Sequence, residues 1–191
     1  DDGAGVVAIL ETARILVAEA PFRNPVMLLF TDAEEMGLLG AEGFYLQHDL
    51  ASQVGVVLDF EGSGTTGPSM AIRTSKANEL LIDTFRKETS NPYGTSLTGE
   101  ICKRMPNDTD FSTALRARIP GIDFAFVGER NHYHTPNDNV DNIDLRTIQH
   151  HGENMLPLTR ALADAELDIN REASLEAIGG TLVYAPLYGY L

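Results

Sequence analysis

53-QVGVVLDF-60 is an apolar run that stops on an acid. Val54, Val56, Val57 and Leu58, with no charge among them, suit a strand covered on both faces. Asp59 then stands at the carboxyl end of that strand, and 61-EGSGTTGP-68 follows with the glycines and proline of a turn. Outward from it, 25-PVMLLFT-31 and 119-IPGIDFAFV-127 read as further buried strands, and a short strand is expected over 69–74. Residues 4–19 carry Val6, Leu10, Ala13 and Val17 at helical spacing, and helices are also expected over 37–49, 76–90, 109–117 and 143–166, with a polar, turn-rich stretch at 91–108. Strands alternating with helices predict an α/β sandwich with a largely parallel sheet. In such sheets ligands gather beyond the carboxyl ends of the strands.

A chain of 191 residues with 43% hydrophobic content is long enough to bury a sizeable core in one domain, or one domain and a tail. Its 14 basic and 28 acidic residues leave a net charge of −14. No basic cluster exists to neutralise phosphates, which argues against nucleic acid as a partner. The single Cys102 excludes an internal disulfide. The end, 181-TLVYAPLYGYL-191, is too short to span a bilayer, which takes ~20 residues.

Four clusters of acids or imidazole fall at the rim where a site belongs: Asp1 and Asp2 before the first helix, Glu34 and Glu35 after 25–31, Asp59, and His134 after 119–127. Carboxylates and an imidazole nitrogen are the ligands of a catalytic zinc. Neighbouring residues on a turning chain point in different directions, so one glutamate of a pair can bind metal while the other works as a general base. Each cluster taken alone has a plainer reading. Glu34 and Glu35 suit the first turn of a helix, Asp1-Asp2-Gly3 and Asp59 suit turns, and a lone His134 suits a surface loop. His132 and His48 read as surface residues, and His150 and His151 as solvated positions on the last helix.

The order 1-DDGAG-5, 33-AEEMG-37, 57-VLDFEG-62 and 133-YHTPND-138 resembles the co-catalytic zinc exopeptidases, a family that includes bacterial and vacuolar aminopeptidases and glutamate carboxypeptidase. The stretches 107-NDTDF-111 and 119-IPGIDFAFVGERNHYHT-135 are most similar to its endoplasmic reticulum metallopeptidase branch, in which such a domain precedes several membrane spans. The resemblance implies a three-layer αβα sandwich of the zinc-peptidase type, with a mixed, largely parallel sheet and the first strands missing. It makes residues 1–170 the catalytic domain and 171–191 a tail leading towards a membrane span. It implies Asp1 as the ligand bridging two zinc ions, Asp59 on the first zinc, Glu35 and His134 on the second, Glu34 as general base and Tyr133 as an oxyanion donor. Asp110 matches a motif aspartate with no assigned role.

The family's histidine for the first zinc lies in a His-x-Asp motif upstream of the bridging aspartate, and nothing precedes Asp1 here. The resemblance therefore implies two zinc ions in a full-length protein, one or none in this chain, and an open sheet edge that invites self-association. The implied activity is that of an aminopeptidase on peptide substrates, on the extracytoplasmic side of a membrane to which missing segments attach it. Two other readings keep the scaffold: a single-zinc acyl transfer like that of glutaminyl cyclases, and a non-catalytic binding module.

Overall fold

In the computed structural model, which describes residues 2–105 and 108–167, the expected alternation of strands and helices is present. The centre is β3, Gly121–Phe126, with all six residues buried. On one side it pairs in parallel with β1, Val57–Gly62, in the register Val57↔Gly121 to Gly62↔Phe126. On the other it pairs antiparallel with β2, Met70–Thr74, giving the order β1-β3-β2. The sheet is thus mixed, with helices on both faces.

Strand alternation decides what each face carries. Phe60 and Phe124, partners in register, stack at 4.7 Å on one face. There they meet α1 (Gly3–Glu19), α3 (Glu79–Glu88) and α6 (Leu145–Asp164). Phe85 of α3 packs edge-on against Phe124, and Ile122, Met155, Leu158 and Leu162 complete this core. Each large apolar side chain so buried contributes on the order of 2 kcal/mol. Asp59 and Asp123, also partners in register, point to the opposite face, which is covered by α5 (Phe111–Arg116). Two further helices, α2 (Leu39–Gln47) and α4 (Ser96–Cys102), lie beside α5 and β2; α4 falls inside the stretch expected to be turns.

Three expectations are corrected. Residues 25–31 form no strand, and Val26, Met27, Leu28 and Phe30 are 39–48% exposed. An apolar run becomes a buried strand only if neighbours pair with it. Here a cavity of about 1100 Å³ separates 25–31 from β1 and from residues 54–56. Among the described residues, the outer edge of β1 has no partner strand. Second, α1 does not bury the face marked by Val6, Leu10 and Val17, which are exposed; it buries Gly5, Ala8, Thr12 and Leu16. Small residues win because the helix lies close on β1: a Cβ on Gly5 would sit 2.4 Å from the Phe60 carbonyl oxygen. Third, His151 is fully buried. Its ring lies edge-on to Phe60 and Phe126, and its Nδ1 pairs with the Ser69 hydroxyl at 2.8 Å. Neighbouring His150 is tied to the Ser69 N–H and the Asn91 carbonyl.

No helix among the described residues is long and apolar enough to cross a membrane. The tail 171–191 lies outside the described residues.

Candidate functional site

Glu34 and Glu35 do not begin a helix. The helix α2 starts at Leu39, and the acid in its first turn is Glu42. The two glutamates occupy a tight turn closed by the Gly37 and Leu38 N–H groups on the Glu34 carbonyl, at 2.9 and 2.7 Å. Ala33, Gly37 and Leu38 all have left-handed φ, at 58°, 105° and 61°. Such backbone costs energy in non-glycine residues and gathers where geometry serves a site. His134, at φ 56°, shares this feature.

The turn brings Glu35 to His134: its Oε1 is in direct contact with the imidazole Nε2. The Tyr133 ring stacks on that imidazole with centroids 3.8 Å apart. Burial, followed by the charges of Glu35, Glu34 and Glu61, pushes the Tyr133 phenol above its usual pKa. Glu34 is also raised, first by burial and then by Glu35, Asp110 and Asp108, while His134 opposes the shift.

Asp59 sits deeper. Its Oδ2 accepts the Phe111 N–H at 3.0 Å. Burial raises its pKa well above the ordinary range, and the charges of Asp123, Asp110 and Asp2 add to that. Asp110 accepts a bond from the Thr31 hydroxyl, and its other oxygen is buried without a partner. Of the sequence-derived set, then, the structure joins Glu35 to His134, with Glu34 and Tyr133 alongside, and holds Asp59 apart on the strand. Asp1 lies outside the described residues.

Glu61 was missed, and Asp2, placed at the rim with Asp1, was assigned no role. Asp2 is raised to about 7, mainly by burial, with Asp110 and Glu34 adding to the shift, and its Oδ1 has no partner. Glu61 follows Asp59 by one full alternation on β1 and so shares its face. Burial and the charges of Asp59, Asp2, Asp123 and Glu34 push it well above the carboxylate range. Its influence on Tyr133 places it towards the Glu34–Glu35 side of the site. Period-two alternation through 59 and 61 was the available signal; the run of glycines after Glu61 concealed it.

Among the described residues, no three His, Cys, Asp or Glu side chains converge to hold a metal ion. The donors present still fit zinc in kind. A carboxylate and an imidazole nitrogen meet at a solvent-facing rim, and Asp2 and Asp110, each with an unpartnered buried oxygen, interact with neighbouring Glu34. So many desolvated carboxylates side by side repel one another, and a bound cation would relieve that.

A family model described as peptidase family M28 matches residues 1–159. Endoplasmic reticulum metallopeptidase 1 of Rattus norvegicus is 30% identical over 195 residues, covering 100% of this chain and 21% of that protein. Vacuolar membrane protease of Candida dubliniensis is 29% identical over 170 residues, covering 88% of this chain and 18% of that protein. The chain thus spans about a fifth of the length of these relatives. The structure of a zinc aminopeptidase from Bacillus subtilis matches with a TM-score of 0.64 at 18% identity, over 87% of this chain and 42% of that one. The LapA aminopeptidase of Legionella pneumophila matches at 0.62 and 22% identity, over 88% of this chain and 48% of that one. At these identities the likeness concerns the fold: a mixed sheet flanked by helices.

Proposed function

The chain belongs to peptidase family M28, and from that premise we propose that it is part of a zinc-dependent exopeptidase domain, an aminopeptidase acting on peptides. The observation that carries this reading is the contact between Glu35 and His134, with Glu34 beside it. Glu35 and His134, together with Asp1, would hold one zinc ion; Asp1 and Asp59 would contribute to a second in a longer protein. Zinc, when bound, polarises the scissile carbonyl and makes a water molecule acidic.

The chain's own residues would do the rest. Glu34, its basicity raised by burial, takes the proton of the attacking water and delivers it to the leaving amine. Tyr133, its pKa pushed up, keeps its phenolic proton and can donate it in a hydrogen bond to the developing oxyanion. A substrate's free α-ammonium group would relieve the mutual repulsion of Asp2, Glu61 and Asp110 and favour their ionised forms.

The names of the relatives, an endoplasmic reticulum metallopeptidase and a vacuolar membrane protease, support a lumenal or other extracytoplasmic setting with membrane attachment through other segments. Assay of the full-length protein on aminoacyl substrates and their N-blocked counterparts, with metal analysis, tests the reading. Zinc-dependent release from unblocked peptides is expected, and its absence on every unblocked peptide would refute the aminopeptidase assignment.

A further inference from the structure

Arg73 belongs to β2 and is the register partner of Asp123. Its side chain is only 14% exposed, and nearly every donor on it is used. Nε and Nη2 both donate to Asp123 Oδ2, at 3.1 and 2.9 Å. Nη1 donates to Asp108 Oδ1 at 3.0 Å and to the Ser112 hydroxyl at 2.8 Å. Nη2 also reaches the Thr109 hydroxyl at 2.5 Å, and the guanidinium lies 5.4 Å from the centroid of the Phe111 ring. One planar cation therefore ties residues 108, 109, 111 and 112 to the sheet. A lysine, with a single compact ammonium group, cannot reproduce that fork.

The segment so tied touches the candidate site through two adjacent residues, Asp110 and Phe111. Its Phe111 N–H donates to Asp59, and Asp110 receives the Thr31 hydroxyl at the end of the stretch leading to Glu34. Asp123, held by Arg73, is the register partner of Asp59 on the same face.

We propose that Arg73 is a positioning residue for the site: it clamps segment 108–112 against β2 and β3, so that the Phe111 N–H orients Asp59 and Asp110 is held beside Glu34. The functional consequence rests on the zinc-peptidase reading, but the clamp itself does not. The plainer alternative is that Arg73 serves only to neutralise buried Asp123. Two variants separate them. Asp108→Ala/Ser112→Ala leaves the bonds of Arg73 and Thr109 to Asp123 intact and loosens the clamp. Arg73→Met/Asp123→Asn removes both charges together, so that neither is left buried alone.

Hydrogen exchange on the full-length protein, followed by mass spectrometry, reports the clamp without reference to activity. Peptides covering 108–116 should lose protection in both variants while 121–126 stays protected. Zinc affinity, measured by chelator competition, should fall by about tenfold or more, and kcat should fall by a similar factor with KM little changed. Unchanged exchange over 108–116 would overturn the clamp. Lost protection with wild-type zinc affinity and kcat would overturn its positioning role. A wild-type protein without zinc-dependent turnover would instead count against the proposed activity and leave the exchange result standing.

Discussion

Nε2 of His134 meets Oε1 of Glu35 across 99 residues of chain. The contact joins the loop after β3 to the turn after 25–31, beyond the carboxyl ends of the parallel strands where the fold rule places ligands. It also divides the glutamate pair: Glu35 faces the imidazole, while Glu34 is half-buried among other acids.

That division predicts different losses for two near-identical substitutions. In the full-length protein, Glu34→Gln should lower turnover by about two to four orders of magnitude while zinc content stays at the wild-type level. Glu35→Gln and His134→Ala should lose zinc. Turnover assays beside metal analysis of the purified variants check this. If both glutamine variants kept metal and activity, the roles would be wrongly assigned.

His151 predicts a pH effect on stability. Its pKa is lowered from 6.5 to about 3, chiefly by burial and secondly by His150. A depressed folded-state value means that the unfolded chain binds the proton first. The stability is present above about pH 6.5 and drains away as pH falls towards 3. At pH 5 this one group should cost about 2 kcal/mol relative to pH 7.5. Asp2 and Asp123, raised to about 7 and about 6, act in the opposite direction. The test is therefore the difference between denaturation curves of the wild type and His151→Phe from pH 7.5 to 5. A difference that does not change with pH would refute the prediction.

Two glycines should respond oppositely to alanine. Gly5→Ala places a methyl group 2.4 Å from the Phe60 carbonyl oxygen and should destabilise by roughly 1–3 kcal/mol as α1 is pushed off β1. Gly152, within α6, has nothing within 4 Å of its would-be Cβ. Gly152→Ala should therefore stabilise by about 0.5–1 kcal/mol through helix propensity. Chemical denaturation of both variants reads the signs directly.

The edge of β1, unpaired among the described residues, and the exposed apolar run 25–31 predict that this 191-residue chain associates as its concentration rises. Leu28→Lys should shift that association to higher concentration. Light scattering over a dilution series checks it, and a concentration-independent monomer would contradict the proposed self-association.

Much of the fold was legible because its signals are local. The strand at 121–126 lies within the apolar run 119–127, and the long helix at 145–164 lies within the expected 143–166. What failed depended on partners. The run 25–31 has strand composition, but composition does not supply a neighbour. For α1, the large apolar residues marked the wrong face, because close approach to β1 selects glycine and alanine. His151 looked solvated beside Gln149 and His150, yet it shares a helix face with the buried Thr147, Asn154, Met155 and Leu158. At the site, the Glu35–His134 pairing was implied by the family resemblance, which set both on one metal. Arg73 was not: its partners lie 35 to 50 residues away, and nothing about a single arginine in a short strand announces them.

The cavity beside β1 also bears on how this chain should be handled at the bench. A folded protein ordinarily gives little signal with solvatochromic dyes, which brighten when heat exposes apolar surface. Here Met27, Leu28 and Phe30 already line an open apolar space in the native state. Dye-based melting curves should start bright and change little, so intrinsic tyrosine fluorescence or circular dichroism is the better thermometer for this chain.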